Sequence, residues 1–120
     1  MCGFTVIFKK RSFGHISKKD FFNASLNISH RGPDDRHHFI DENIMMDFFR
    51  LNILDLSKRG RQPMESFSGR YMIVFNGEIY NKDELKNKIK FEKLKSTTDT
   101  EILINLFEKY KFKMMHCLEG

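Results

Sequence analysis

A cysteine at position 2, in Met1-Cys2-Gly3, is the residue of this sequence best placed to act as a nucleophile. Removal of the initiator methionine, which so small a second residue permits, leaves Cys2 as the N-terminus carrying its own base. A free α-amino group titrates close to neutrality. It lies within reach of the thiol, directly or through one water, and can take the proton as sulfur attacks a carbonyl. The plain alternative is an ordinary cysteine beside the start codon, so other residues must decide. Attack on an amide creates a tetrahedral oxyanion, which needs donors aimed at it. Asn76-Gly77 offers a carboxamide NH2 and an unhindered backbone N–H, although Asn-Gly is also the strongest hairpin dipeptide. The next residues, Glu78-Ile79-Tyr80-Asn81, make a poor second hairpin strand, which favours a site.

A zwitterionic amino acid also needs a cation for its carboxylate and an anion for its ammonium. Arg50, ending an apolar run, could grip a carboxylate with two N–H groups. Asp99, at the mouth of a helical stretch, could hold the ammonium. Each has a structural reading too: a charge at a strand end for Arg50, a helix cap for Asp99. Taken with Cys2 and Asn76, they compose a coherent pocket for such a substrate.

The elements that must position these residues are read from hydrophobic patterning. Gly3 to Phe8 is β-branched and aromatic and reads as a buried strand led by Cys2. Lys9 to Gly14 reads as a turn, and His15 to His30 as an amphipathic helix after Ser17. Arg31-Gly32-Pro33-Asp34-Asp35 breaks it. Arg36–Ile40 and Ile44–Leu51 flank Asp41-Glu42-Asn43 as a hairpin. Asp55 to Met64 reads as a polar loop closed by Gln62-Pro63-Met64. Tyr71 to Phe75 is the clearest strand and runs into Asn76-Gly77. A helix begins at Asn81 or Lys82 and runs to about Ile89. Ser96-Thr97-Thr98-Asp99 offers an N-cap for a helix from Glu101 to about Lys111. Strands come early and helices late, which predicts α+β layers.

The 120 residues suit one globular domain, with 40% hydrophobic and 31% charged residues. No run approaches the roughly 18–20 apolar residues of a membrane span, and no signal peptide is expected. With only Cys2 and Cys117, a reducing, cytoplasmic setting fits better than a disulfide framework. The net charge of +5 raises nucleic-acid binding, but the basic residues are scattered and no aromatic-basic motif appears, so no nucleic-acid partner is expected. The five histidines show no metal spacing, and no metal site is assigned. Cys117 reads as a small packed hydrophobe, the seven Met and thirteen Phe as core, and His37-His38 as exposed.

Met1-Cys2-Gly3, His30-Arg31-Gly32-Pro33-Asp34, Arg50-Leu51-Asn52-Ile53-Leu54-Asp55, Gln62-Pro63-Met64 and Asn76-Gly77-Glu78-Ile79-Tyr80-Asn81 stand in a recognisable order and spacing. With Thr98-Asp99-Thr100-Glu101, they resemble the N-terminal glutaminase domain of glutamine-hydrolysing asparagine synthetases, a class II (N-terminal nucleophile) glutamine amidotransferase. The resemblance runs over all 120 residues.

That resemblance implies an N-terminal nucleophile hydrolase-type αββα sandwich. It implies Cys2 as nucleophile, forming a γ-glutamyl thioester and releasing ammonia, with Asn76 and the Gly77 amide on the oxyanion. Arg50 would bind the α-carboxylate of L-glutamine, and Asp99, helped by Glu78, its α-ammonium. No cofactor is implied for this chain. ATP and Mg belong to a synthetase domain that amidates aspartate to asparagine.

Three departures from the family pattern stand out. Phe4, Thr5 and Val6 are bulkier than usual, and Met46-Asp47-Phe48-Phe49 lacks small polar residues. Relatives continue beyond Leu118-Glu119-Gly120, so residues 1–120 are expected to be a partial domain, incomplete at the C-terminus and without a synthetase domain. A partner chain carrying that domain, or a homodimer, is compatible with this. The competing reading is a non-catalytic fragment or binding module derived from the fold.

Overall fold

The structure, a computed structural model, describes residues 1–9, 14, 16–52, 57–89 and 94–120. Most of the turn expected at Lys9–Gly14, and Ile53-Leu54-Asp55, fall outside the described residues. The contacts divide the chain into two compact units, Met1–Asn52 and Ile53–Gly120. Helices and antiparallel sheets occur together, as α+β layering predicts.

The first unit is built on three antiparallel strands, β1 (Gly3–Phe8), β2 (Asp35–Ile40) and β3 (Ile44–Arg50), with β3 in the middle. Gly3 faces Phe49 across one ladder, and Asp35 faces Arg50 across the other. The hairpin turn between β2 and β3 is fixed by Asp41, whose Oδ1 accepts the N–H groups of Asn43 and Ile44 at 2.6 and 2.8 Å. Such a side-chain turn is the reason the Asp41-Glu42-Asn43 triplet reverses the chain. β1 is a strand as expected, but it is not buried on both sides. Phe4, Val6 and Phe8 are 41%, 39% and 71% exposed, so the alternate residues lie on an open face.

Helix α1 (Lys18–Ser25) starts at a reciprocal cap. Ser17 Oγ accepts the Asp20 N–H, and the Asp20 carboxylate accepts the Ser17 N–H and hydroxyl. These bonds from Ser17 hold the Asp20 carboxyl below its ordinary range. The helix expected to reach His30 stops at Ser25 and tightens into a 3-10 turn over Leu26–Arg31. Asn27, whose Nδ2 donates to the Ala24 carbonyl at 3.0 Å, competes there with helix continuation.

Asp47 is fully buried in the middle of β3. Its carboxylate accepts Ser25 Oγ at 2.5 Å and the Arg36 guanidinium at 2.6–3.1 Å. Arg36 lies over the rings of Phe22 and Phe49, at 5.2 and 4.9 Å, and bonding to Asp47 raises its pKa. The pair welds α1, β2 and β3 together.

The second unit holds a short hairpin, β4 (Met64–Glu65) and β5 (Met72–Ile73), helices α2 (Lys82–Ile89) and α3 (Asp99–Tyr110), and 3-10 turns at Lys58–Gly60 and Lys111–Cys117. The strand expected over Tyr71–Phe75 shrinks to two residues, because β4 offers only two residues to pair with it. The core gathers Ile79, Leu85, Ile102, Leu103, Leu106 and Met114, with Phe75 and Phe107 packed against them. Apolar residues spaced three and four apart along α3 supply one wall of it.

The N-cap of α3 is Thr98, inside the expected Ser96–Asp99 stretch, although its side chain makes no cap bond. In the first turn the Thr100 N–H is taken by Asp99 Oδ1 at 2.9 Å, while the Glu101 carboxylate ties down the preceding loop by accepting the N–H groups of Lys95 and Ser96 at 2.8 and 2.7 Å. Cys117 is exposed rather than packed, and Phe67 and Phe112 join Phe4 and Phe8 on the surface. His37 and His38 are exposed as expected, His38 resting edge-on to Phe22.

Candidate active site

Cys2 sits at the end of the first unit's sheet. Continuing the β1–β3 register by one residue places it opposite Arg50. Its Sγ accepts the Leu51 N–H at 3.3 Å, and its thiol lies 3.7 Å from the Leu51 carbonyl oxygen. Its own carbonyl accepts Arg31 Nε at 3.1 Å. The thiol, half-buried and free of any disulfide, is therefore held by the Leu51 backbone, while Arg31 fixes the Cys2 main chain. Arg50 is 6% exposed and so is not the surface charge that a strand end allows.

His30-Arg31-Gly32-Pro33-Asp34 explains how this end of the sheet is kept in place. A Cβ at Gly32 would stand 2.2 Å from the carbonyl carbon and oxygen of Phe49, so only glycine lets the loop lie against β3. Asp34 N–H donates to the Arg50 carbonyl at 3.0 Å, and Asp34 Oδ2 accepts the Asn52 N–H at 2.7 Å. Arg31 and Asp34 thus fix the strand ends that carry Cys2 and Arg50.

Asn76, Gly77, Glu78 and Asp99 lie in the second unit. Phe75 and Ile79 both pack into its core, so Asn76-Gly77-Glu78 is a short excursion between two anchored residues. Asn76 is half-buried, while Gly77 and Glu78 are exposed. The segment is no hairpin turn: the chain passes on to α2 without a second strand. A Cβ at Gly77 would meet the Phe75 ring at 2.7 Å. Asp99, 7% exposed, is the first residue of α3. Its Oδ2 accepts the Ile79 N–H at 3.0 Å and its Oδ1 the Thr100 N–H at 2.9 Å. Each oxygen keeps a lone pair for a further donor. Glu119 and Cys117 secure the far side: the Glu119 carbonyl accepts the Tyr80 N–H at 2.7 Å, and the Cys117 carbonyl accepts Asn81 Nδ2 at 2.8 Å.

Two of the six expected residues are therefore neighbours at one sheet end, and the other four share one loop-and-helix junction. Among the described residues, no group of three or more His, Cys, Asp or Glu is placed to hold a metal, and no helix is long and apolar enough to cross a membrane.

The sequence matches the glutamine amidotransferase domain family over residues 1–120. The chain belongs to that family. Glutamine-hydrolysing asparagine synthetase 1 of Bacillus subtilis is 35% identical over 124 residues, which take in all of this chain and 20% of that protein. A putative glutamine-hydrolysing asparagine synthetase 2 of Methanocaldococcus jannaschii is 37% identical over 139 residues, covering all of this chain and 26% of its own length. Amidase chry2 of Gibberella zeae is 35% identical over 96 residues, 78% of this chain and 14% of that protein. The chain spans about a fifth to a quarter of the length of these two asparagine synthetases.

Three residues that hold this amidotransferase domain together were not singled out as functional from sequence. Arg31 and Asp34 stood out only as letters of a motif. Gln62, 6% exposed, accepts the Phe75 N–H through Oε1 at 2.5 Å and donates from Nε2 to Thr100 Oγ1 at 3.1 Å. The available signal was a glutamine beside proline within an otherwise apolar Pro-Met pair, a polar group that burial forces to find partners.

Proposed function

We propose that this chain hydrolyses L-glutamine to glutamate and ammonia, as the glutaminase part of an asparagine-synthetase-type enzyme built on an N-terminal nucleophile αββα sandwich. Removal of Met1 frees the Cys2 amine. That amine accepts the thiol proton as sulfur adds to the γ-carboxamide carbon. The Asn76 carboxamide NH2 and the Gly77 N–H donate to the oxyanion. Collapse of the adduct breaks the C–N bond, the proton passes to the leaving nitrogen, and ammonia departs from a γ-glutamyl thioester. Water then adds to the thioester carbonyl and glutamate leaves with the thiol restored. Arg50 pairs with the substrate α-carboxylate, and Asp99, with Glu78, with its α-ammonium.

The observation that supports this best is the setting of Cys2: a half-buried thiol held by the Leu51 N–H, opposite Arg50 in register. The ammonia is destined for amidation of aspartate by ATP and Mg in a synthetase domain, on this or a partner chain, in the cytoplasm. The names of the bacterial and archaeal relatives favour that acceptor.

The test is intact mass after incubation with 6-diazo-5-oxo-norleucine, a glutamine analogue that alkylates such nucleophiles. One adduct on a chain lacking Met1, absent in Cys2→Ala, is the expected result. A chain lacking Met1 that takes no adduct would overturn the proposal. A retained Met1 would leave Cys2 without its base and favour a non-catalytic role.

A further inference from the structure

Gln62 is a buried carboxamide with both ends engaged, and its two partners flank two different candidate site residues. Phe75, whose N–H it accepts at 2.5 Å, immediately precedes Asn76. Thr100, whose hydroxyl oxygen it donates to at 3.1 Å, immediately follows Asp99. The β4–β5 ladder ends at Ile73, so the Phe75 N–H is held by this side chain and not by a strand. One side chain therefore ties the backbone before the oxyanion donors to the first turn of α3.

A second tie closes the frame. Asp99 Oδ2 accepts the Ile79 N–H at 3.0 Å, on the other side of Asn76-Gly77-Glu78. The three loop residues are thus strung between two side-chain hydrogen bonds, both referred to the N-terminus of α3. If Gln62 served packing alone, one apolar contact surface would suffice. Instead it spans two backbone segments with opposite ends of one amide, and at 6% exposure neither end has water in reserve.

We infer that Gln62 is a positioning residue that sets the Asn76-Gly77 donors in register with Asp99, and that Thr100 is the relay through which it does so. The inference rests on the glutaminase reading above. It assigns to the Gln62-Pro63-Met64 motif a task in transition-state geometry, where a displacement of about 1 Å can lower a rate on the order of a hundredfold.

The experiment compares Gln62→Met, Thr100→Val and Thr100→Ser with the wild-type chain, measuring glutamate release from L-glutamine. Turnover is expressed per Cys2 titrated by 6-diazo-5-oxo-norleucine, and thermal midpoints are recorded alongside. Gln62→Met should lower kcat per titrated site about ten- to a hundredfold and raise KM. Thr100→Val, which breaks one link and keeps the Phe75 bond, should show a smaller loss of the same kind. Thr100→Ser should restore turnover, because it retains the acceptor oxygen. Variants that melt earlier but turn over at the wild-type rate per titrated site would overturn the assignment and leave Gln62 a packing residue. A wild-type chain with neither adduct nor glutamate release would overturn the glutaminase reading itself, and the assignment with it.

Discussion

The Asp99 carboxylate accepts the backbone N–H of Ile79 at 3.0 Å, across 20 residues of sequence. The same group therefore carries two duties in the proposed chemistry, holding the loop that bears Asn76 and facing a substrate ammonium. The two duties separate by mutation. Asp99→Ala leaves the Ile79 and Thr100 amides without acceptors and should destabilise by about 1–3 kcal/mol for each amide left buried. Asp99→Asn keeps one acceptor oxygen and removes the charge, so it should melt closer to wild type yet raise the KM for glutamine at least about tenfold. An unchanged KM in Asp99→Asn would exclude the ammonium role.

The Arg36–Asp47 pair is lopsided, with side-chain exposures of 36% and 0%. Removing the cation strands a buried carboxylate, so Arg36→Met should lose about 3–5 kcal/mol in urea unfolding. Arg36→Met/Asp47→Leu, which removes both charges, should recover most of that. A double variant no more stable than Arg36→Met would show that the pair does not act as a unit.

Gly32 and Gly77 are both crowded, but by different neighbours. At Gly32 the obstacle is β3 backbone, 2.2 Å from where an added methyl would stand, and it cannot turn aside. At Gly77 the obstacle is the Phe75 ring, which can. Gly32→Ala should therefore abolish cooperative folding of the first unit. Gly77→Ala should fold and lose turnover as the ring shifts. Circular dichroism melts of the two variants, side by side with glutamate release by Gly77→Ala, decide this.

Lys111 ends α3 at φ +53° and ψ −143°, a region that glycine occupies without strain and lysine does not. Its ammonium folds back onto the Glu108 carbonyl and over the Tyr71 ring, 4.5 Å from the centroid. Relief of about 1–3 kcal/mol of strain outweighs those exposed contacts. Lys111→Gly should raise the melting temperature, and a lowered one would show that the ammonium contacts dominate.

The Asp20 carboxyl is depressed by its bonds from Ser17, so its contribution is present above the unfolded carboxylate value and is lost as the pH falls through the folded one. Protection factors of the α1 amides, taken relative to intrinsic exchange at each pH, should fall on acidification below about pH 4. Asp20→Ala, already without the cap, should show a flatter response over the same range.

Much of this architecture could be read from residue order. Asp41-Glu42-Asn43 between two apolar runs announced the β2–β3 hairpin, and Lys82 opened α2 where expected. Cys2 and Arg50 emerged as neighbours in register at one sheet end. Asp47 was opaque, because nothing within Met46-Asp47-Phe48-Phe49 tells what a charged residue there would bond. Its partners, Ser25 and Arg36, lie 22 and 11 residues away, and only the fold brings them in. Tyr71–Phe75 misled for a related reason. Strand propensity is local, but a ladder needs a partner, and β4 supplied two residues. Gln62 escaped because its meaning lies in which amides it meets, and no periodicity encodes that.

The open side of β1 has a consequence for handling the protein. Among the described residues no strand pairs with its outer edge, and on its open face Phe4, Val6 and Phe8 are partly or largely uncovered. An apolar, unpaired edge invites ladder formation between molecules. Self-association will then grow with concentration, and light scattering will rise well before the chain unfolds. A lysine in place of Val6, on the open face of that edge strand, is the change that should keep concentrated samples clear.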